Sequence, residues 1–484
     1  MAEQSLKDKT VRGVAWSGID NVANYAVSFV VSIVLARLLS PEDYGLIGII
    51  LIFTSISEAI INGGFVNALI RKKGATEADF NTVFITNLVI STLLYIILFF
   101  CAPFIASFFD RPALIELTRV SAVRIIIGAI ALVPKVVLTK RIDFKTQTKI
   151  TLISSITSGI VGMAMAFLGY GVWALVVQGI VFSSLSVICL FLFVKWIPKF
   201  IFSRNSFKEL FGFGWKVMLT FLIDRIWKEM YQVVVGKFYS PATLGQYTRA
   251  KTFSQLFSSN LTDVVQRVTF PVLSEIQNEP TRMISAYRQM IKVTMFVSTV
   301  SMFAMGAVSL PMICCLIGPK WSEAATYLPL ICIAGSLYPL QAINLNMLQV
   351  QGRSDILLIL EIVKKLILVI PLLVCIFVGI QEMLIVNIVT SVICFFLNSY
   401  YTGKRLGYTS WMQIKDVAPS YGVATGMALS VYFFKYLPIS YFIIFPIQIV
   451  VGTTFVWLVC ERIGLSEYKE VKSIISSYIK KLKH

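Results

Sequence analysis

Charged side chains are scarce in this sequence. Of its 484 residues, 14% are Asp, Glu, Lys or Arg and 57% are hydrophobic, whereas a soluble domain carries about 25% charged residues. Histidine occurs once, at His484, so histidine-based catalysis and histidine metal sites are excluded. Long apolar runs recur throughout the chain, and this pattern predicts an all-α, polytopic membrane protein.

The eight cysteines lack the spacing of a disulfide framework or of a metal site. All lie within or at the edge of apolar runs, so we interpret them as small buried hydrophobic residues. The formal net charge is +18, but the basic residues stand in short clusters between the apolar runs. We therefore expect no nucleic-acid partner, no metal and no cofactor.

Fourteen apolar runs approach the length of about 20 residues that a membrane-spanning helix needs. The first run contains Asp20, Asn21 and Asn24 and is not followed by a small-residue cleavage site, so we predict a retained span and not a cleaved signal. The seventh and eighth runs carry several charges. The predicted spans are 13–37, 44–69, 81–108, 113–138, 150–169, 171–194, 212–238, 244–271, 288–317, 325–350, 355–378, 381–402, 416–437 and 438–460.

Basic residues concentrate in every second gap between these spans. An excess of Lys and Arg marks cytoplasmic gaps, so we predict that both termini are cytoplasmic. The gaps on the predicted external side are too short for a folded domain. The tail, 464–484, has apolar residues at helical spacing with lysines opposite, and we expect it to lie on the inner membrane surface; an ordinary solvated tail is the alternative.

One short pattern occurs twice. "ARLLSPEDYG" at 36–45 and "GKFYSPATLG" at 236–245 share a basic residue, Ser-Pro and a final Gly. Trp16 and Trp215 continue the match at nearly the same offset. These matches at a nearly constant offset predict a duplicated six-helix unit. The two copies would be related by an axis along the membrane normal, and a substrate path would lie between them. The Ser-Pro turns would be external corners, because proline ends one helix and starts the next.

The repeat predicts four regions along the chain. An N-terminal lobe of six spans covers 1–200, and a C-terminal lobe of six spans covers 201–405. Two additional spans at 406–463 and the basic amphipathic tail at 464–484 lie outside the duplication.

Several charges are predicted at mid-membrane, where each costs about 2.5–3.5 kcal/mol and usually faces a cavity. Asp224 and Lys228 are four residues apart, as are Arg225 and Glu229, so both pairs can form ion pairs on one helix. The alternative is that these charges only neutralise each other within the helix and have no part in a substrate path. A net basic path suits an anionic substrate, and arginine suits phosphate because its guanidinium binds in a bidentate manner. The other groups at this depth are Asp20, Asn24, Glu58, Arg124, Arg249 and Lys251.

Four stretches resemble a known family of transporters. They are "GGFVNALIRKKGATEADFNTVF", "SFKELFGFGWKV", "IDRIWKEMYQVVVGKFYSPATLGQYTRA" and "FPVLSEIQNEPTRMISAYRQM". In order and spacing they are similar to polysaccharide transporters of the multidrug/oligosaccharidyl-lipid/polysaccharide (MOP) exporter superfamily, and most to Wzx-type flippases of the colanic-acid exporter kind. Fourteen spans instead of twelve also resemble the lipid II flippases of that superfamily.

The resemblance implies a function. The protein would move an undecaprenyl-pyrophosphate-linked oligosaccharide from the inner to the outer leaflet of the bacterial inner membrane by alternating access, coupled to a H⁺ or Na⁺ gradient. The product would serve a surface polysaccharide such as O-antigen, capsule or exopolysaccharide. We expect a monomer that works among membrane lipids and near the polysaccharide polymerase machinery.

From depth in the predicted spans, we assign two sets of site residues. The coupling candidates are Glu58, Asp20 and Asp224. Two other readings stay open: a drug/cation antiporter, which would need an acidic or apolar cavity, and a membrane polymerase or glycosyltransferase, which would need catalytic acids in a sizeable external loop. We expect that the protein is not an enzyme, and we assign it no catalytic residue. The residues assigned to a pyrophosphate-binding cavity are Arg124, Arg225, Lys228, Arg249, Lys251 and Asn24.

Overall fold

The computed structural model describes residue 24 and residues 26–482. Every regular element in this part of the chain is a helix, which confirms the predicted all-α class. Asp20, Trp16 and the first part of the first predicted span, 13–23, lie outside the described residues.

Between residue 26 and the second Ser-Pro corner, the described part of the chain forms eight α-helices. Helix α2 continues through a π-helical turn, Asn62–Val66, into α3. The bounds are α1 Ala26–Leu38, α2 Pro41–Ile61, α3 Asn67–Arg71, α4 Glu77–Phe108, α5 Leu114–Arg141, α6 Phe144–Phe167, α7 Trp173–Val194 and α8 Arg204–Phe238.

The second half begins at the second Ser-Pro corner. Its helices are α9 Pro241–Glu275, α10 Pro280–Ala307, α11 Ser309–Leu316, α12 Ser322–Gly335, α13 Tyr338–Val350, α14 Ser354–Ile367, α15 Val369–Phe377, α16 Ile380–Leu406, α17 Ser410–Tyr432, α18 Tyr441–Ile463 and α19 Ser466–Leu482.

Among the described residues, ten helical segments are long and apolar enough to cross a membrane. The chain is therefore a multi-pass membrane protein, and the count of fourteen spans stays a prediction. Helices α8 and α9 have sufficient length, 35 residues each, but they carry several charges. The predicted eleventh span is divided at Leu368 into α14 and α15, each shorter than a full crossing.

The Ser-Pro corners form as the sequence predicts. Ser40 is the N-cap of α2, its side chain accepts a hydrogen bond from the Asp43 amide, and Pro41 is the first helical residue. At the second corner the Ser240 hydroxyl accepts from the Thr243 amide, 3.1 Å away. In both, the serine satisfies a free amide of the first turn, and the proline has none to satisfy.

The chain divides into two compact units, Met1–Gly245 and Gln246–His484. Helix α8 belongs to the first unit. The core of that unit includes Leu69, Val83, Val133, Leu190 and Leu210. The core of the second unit includes Leu273, Tyr287, Ile343, Phe395 and Val417. The predicted division of the repeat at residue 200 stays a prediction.

The two additional spans, α17 and α18, pack within the second unit. Helix α17 lies along α10. The tail forms helix α19, and its first turns pack on α10 and α18 through a cluster that contains Phe296, Cys460, Leu465 and Tyr468. A membrane-surface position for the rest of the tail stays a prediction.

Candidate functional site

Helix α8 carries both predicted ion pairs. Lys228 Nζ lies 2.8 Å from Asp224 Oδ2, and Arg225 Nε lies 3.0 Å from Glu229 Oε1. The predicted (i, i+4) pairing is confirmed. The side chains of Asp224 and Lys228 are 51% and 65% exposed, so this ion pair lies on the surface of the helix. It stands in the second half of α8, which is 35 residues long.

Glu229 differs from the other charges of α8 because it is buried. Its Oε2 accepts a hydrogen bond of 2.7 Å from Gln232 Nε2, and the Ser55 hydroxyl of α2 donates to its Oε1 over 3.3 Å. Three neighbours therefore hold this carboxylate: one arginine, one amide and one hydroxyl. The sequence pattern paired Glu229 with Arg225 but gave no signal for burial or for Ser55, which is 174 residues away in the chain.

Helix α2 and its π-helical turn follow α8 over most of its length. A Cβ added at Gly63 would lie 3.1 Å from the Met218 Cα, and one added at Gly214 would lie 3.0 Å from the Gly64 carbonyl oxygen. Small residues on both helices permit this backbone approach. The two-glycine π turn thus lets the C-terminal end of α2 pack closely against α8.

The corner ends of the same helices are also in contact. A Cβ added at Gly45 would lie 1.8 Å from the Pro241 carbonyl oxygen, and one at Gly245 would lie 1.9 Å from that of Pro41. Next to these contacts, Lys237 Nζ lies 2.9 Å from Asp110 Oδ2. The repeated pattern therefore has a structural use: its two glycines make room for the two prolines.

Glu58, a coupling candidate, has an exposed side chain on α2. Lys135 of α5 is near enough to interact with it electrostatically. Lys135 was missed by the sequence analysis because it stands beside Pro134 near the end of the predicted fourth span. Glu58 and Lys135 are therefore two further opposite charges of the first unit that influence each other.

Arg124 is half-buried on α5 and faces α7. A Cβ added at Gly179 would lie 2.9 Å from its Nη1, so the guanidinium rests against a helix surface that only glycine leaves open. A glycine in the sixth span was the only signal available in the sequence, and it could not be interpreted without its neighbour.

Arg249 and Lys251 belong to the second unit. Arg249 is buried, and its guanidinium carbon lies 5.7 Å from the centre of the Trp321 ring. Lys251 is half-buried. Asn24 is helical, and Asp20 lies outside the described residues. The roles assigned to these residues stay predictions.

A polar cluster in the second unit was not predicted. Arg288 of α10 makes two hydrogen bonds with Asp416 of α17, and the Tyr408 hydroxyl donates to Asp416 over 2.8 Å. Burial raises the pKa of the Tyr408 hydroxyl, which keeps it a donor. Deeper in the unit, Tyr287 donates to Asn344 over 2.8 Å. The bonds to Asp416 attach the additional helix α17 to α10, and the bond from Tyr287 joins α10 to α13.

Within the described residues, no group of three or more His, Cys, Asp or Glu could hold a metal ion. The described helices and their membrane-spanning length define a multi-pass membrane protein, and α8 adds ion pairs to it.

The chain belongs to the polysaccharide biosynthesis protein family, whose model matches residues 34–326. It is 25% identical to the teichuronic acid biosynthesis protein TuaB of Bacillus subtilis (strain 168), over 73% of each chain. It is 26% identical to the succinoglycan biosynthesis transport protein ExoT of Rhizobium meliloti (strain 1021), over 69% of this chain and 68% of the relative. The lipopolysaccharide biosynthesis protein WzxC of Escherichia coli (strain K12) is 21% identical over 73% and 72%.

Solved structures share the fold. The lipid II flippase MurJ superposes with a TM-score of 0.74 at 17% identity, covering 92% of this chain and 97% of MurJ. A multidrug resistance MATE family transporter of the MOP superfamily gives a TM-score of 0.60 at 18% identity, covering 80% and 96%. The family match confirms the predicted kinship with polysaccharide proteins, and the solved structures confirm the predicted fold.

Proposed function

We propose that this protein is a flippase that moves a polyprenyl-pyrophosphate-linked oligosaccharide from the inner to the outer leaflet of a bacterial inner membrane, for surface polysaccharide synthesis. The observation that carries the proposal is the set of exposed charges on α8. Asp224, Arg225 and Lys228 have side chains that are 42% to 65% exposed on a helix of membrane-spanning length. Such charges need a water-filled path, because exposure to lipid is costly.

The family and its named relatives support the substrate class. Teichuronic acid, succinoglycan and lipopolysaccharide are the products named for the three relatives, and each relative matches about 70% of this chain. The shared fold with the lipid II flippase MurJ supports movement of a lipid-linked substrate across the membrane. Basic side chains suit a pyrophosphate, and outward movement of an anion gains about 2.3 kcal/mol per charge for each 100 mV of inside-negative potential.

Ion coupling is part of the proposal. Glu229 is the carboxyl best placed for it, because it is buried between α2 and α8 and accepts the Ser55 hydrogen bond that connects the two helices. Protonation would weaken its attraction to Arg225 within α8 and make its oxygens poorer acceptors for the Ser55 hydroxyl, the hydrogen bond that links α2 to α8. The other candidates are Glu58, near Lys135, Asp20 and Asp224, and H⁺ and Na⁺ are the candidate ions.

Mass spectrometry of lipid that copurifies with the protein tests the substrate. We expect a polyprenyl diphosphate carrying a short oligosaccharide. Reconstitution in vesicles with that lipid should then make its sugar accessible to an impermeant lectin on the far side. Movement of cationic drugs instead, with no lipid-linked sugar bound, would favour the antiporter reading.

The proposal includes location and partners. We infer an inner-membrane monomer with both termini in the cytoplasm, close to the polysaccharide polymerase machinery that uses its product. The distribution of basic residues between the spans supports the orientation.

A further inference from the structure

The segment that joins the two predicted repeats, 195–203, exposes large apolar side chains. Ile197 is 76% exposed, Phe200 is 92% exposed and Phe202 is 54% exposed. This segment, here called the connector, lies between α7 and α8 and is not helical. In water, three such side chains on one short loop would be unfavourable.

The connector is held in place by buried polar side chains of α4. The Lys199 amide donates to Asn81 Oδ1 over 2.6 Å, and the Ser203 amide donates to the Thr82 hydroxyl over 3.0 Å. Asn81 and Thr82 are fully buried. Their positions fix the connector backbone at two points, so the outward direction of its apolar side chains is imposed by the fold.

Trp196 completes the attachment. It is buried, and its ring lies 5.7 Å from that of Phe84 in an edge-to-face arrangement. One aromatic side chain of the connector thus faces the protein core, while Phe200 faces away from it. A loop that served only to join two helices would need neither the inner anchor nor the outer apolar face.

Basic residues surround this apolar face. Between 195 and 208 the sequence has four basic residues and no acidic residue, and all four are exposed. The next acidic residue, Glu209, is paired with Lys72 over 2.8 Å. The four basic residues are Lys195, Lys199, Arg204 and Lys208.

The apolar face continues the surface of the preceding helix. Leu192 and Phe193, in the last turn of α7, are 70% and 49% exposed, as expected for a surface that contacts acyl chains. A membrane surface is therefore a better partner for the connector than a soluble protein. The connector extends a lipid-facing surface, and basic residues flank its apolar side chains.

We propose that the connector is a lipid-binding element that inserts Ile197, Phe200 and Phe202 into the interface of the leaflet and binds anionic phospholipid headgroups through its basic residues. Aromatic side chains favour the interfacial zone, and clustered Lys and Arg bind anionic lipid. The element fixes the depth at which α8 enters the membrane. This inference does not depend on the transported substrate.

The first test measures insertion. A fluorophore is attached at Phe200→Cys in a full-length variant without native cysteines, reconstituted in vesicles. We expect quenching by lipids brominated high on the acyl chain and little quenching by aqueous iodide. Lys145→Cys, an exposed position at the start of α6, is the matched control and should show the reverse. Iodide quenching at 200 equal to that at 145 would overturn the proposal.

The second test measures headgroup preference. Native mass spectrometry compares retention of phosphatidylglycerol and phosphatidylcholine by the parent and by the triple variant Lys195→Gln, Lys199→Gln, Arg204→Gln. We expect the ratio to fall about threefold or more. The control neutralises three other exposed basic residues, Arg141, Lys145 and Lys149, and should leave the ratio within about 1.5-fold. Equal ratios in both triple variants would contradict the proposed site, as would a label at 200 shielded from both quenchers, which would indicate a protein partner.

Discussion

Gly45 lies directly against the backbone of Pro241, so closely that a Cβ atom on the glycine would come within 1.8 Å of the Pro241 carbonyl oxygen. Gly245 and Pro41 make the equivalent contact. A reciprocal contact between two copies of one pattern is what a local two-fold relationship produces. The repeated Ser-Pro turn is therefore both a helix start and a surface that recognises its own copy.

Substitution of Gly45 by alanine should disrupt this contact. The added methyl group has no room against backbone atoms, and overpacking typically costs about 1–3 kcal/mol. We expect a lower unfolding temperature of the purified protein and reduced polysaccharide export. Gly212→Ala in α8 is the control, because no atom lies within 4 Å of its Cβ position. If Gly45→Ala matches Gly212→Ala in both assays, the corners do not touch in the membrane.

Glu229→Gln should separate packing from charge. Glutamine keeps the size and can still accept from Ser55, but it leaves Arg225 without its carboxylate. We expect normal protein levels and export reduced about tenfold or more, with a flattened dependence on external pH in vesicles. Asp224→Asn in the exposed pair should have the smaller effect. Parental rates and pH dependence for Glu229→Gln would remove this carboxyl from the coupling proposal.

Gly179→Ala should act through Arg124. The new Cβ would lie 2.9 Å from Arg124 Nη1, so the guanidinium must move. If its position matters for the substrate, Gly179→Ala and Arg124→Ala should both reduce export strongly, and Arg124→Lys should rescue only partly because lysine lacks the bidentate fork. Gly128→Ala, on α5 with open space at its Cβ position, should export normally. Export at the parental rate from Arg124→Ala would assign this arginine a structural role only.

Arg249→Ala should reduce export while the unit stays folded, if the buried guanidinium meets the substrate in another state of the cycle. Trp321→Leu tests the alternative, because it removes the ring beside Arg249 and keeps the charge. We expect Arg249→Ala to lower export more than Trp321→Leu at equal protein levels. Equal losses accompanied by equal drops in unfolding temperature would indicate packing alone.

The orientation can be checked by labelling. Single cysteines at Glu42 and Ser240, both exposed, should react with an impermeant maleimide from outside intact cells after removal of the outer membrane, in a variant lacking the eight native cysteines. Lys145→Cys should react only after the inner membrane is opened. Labelling of Glu42→Cys only from the cytoplasmic side would reverse the predicted topology.

The sequence by itself determined the membrane class, the approximate helices and the local pairs. A membrane-spanning helix must satisfy its backbone internally and be apolar along its length, so hydropathy locates it. Pairs such as Arg225 and Glu229 follow from helical spacing alone, and the Ser-Pro corners follow from the geometry of proline. The family resemblance depended on the same local stretches.

Only the tertiary structure decided which faces of these helices meet. Lipid and protein interior are about equally apolar, so hydropathy does not distinguish a buried face from a lipid-facing one. Three contacts join distant parts of the chain. Ser55 contacts Glu229, α8 packs on the two-glycine turn, and Arg288 binds Asp416. No sequence period encodes such contacts, because they depend on how packed helices fit together and not on spacing within one helix.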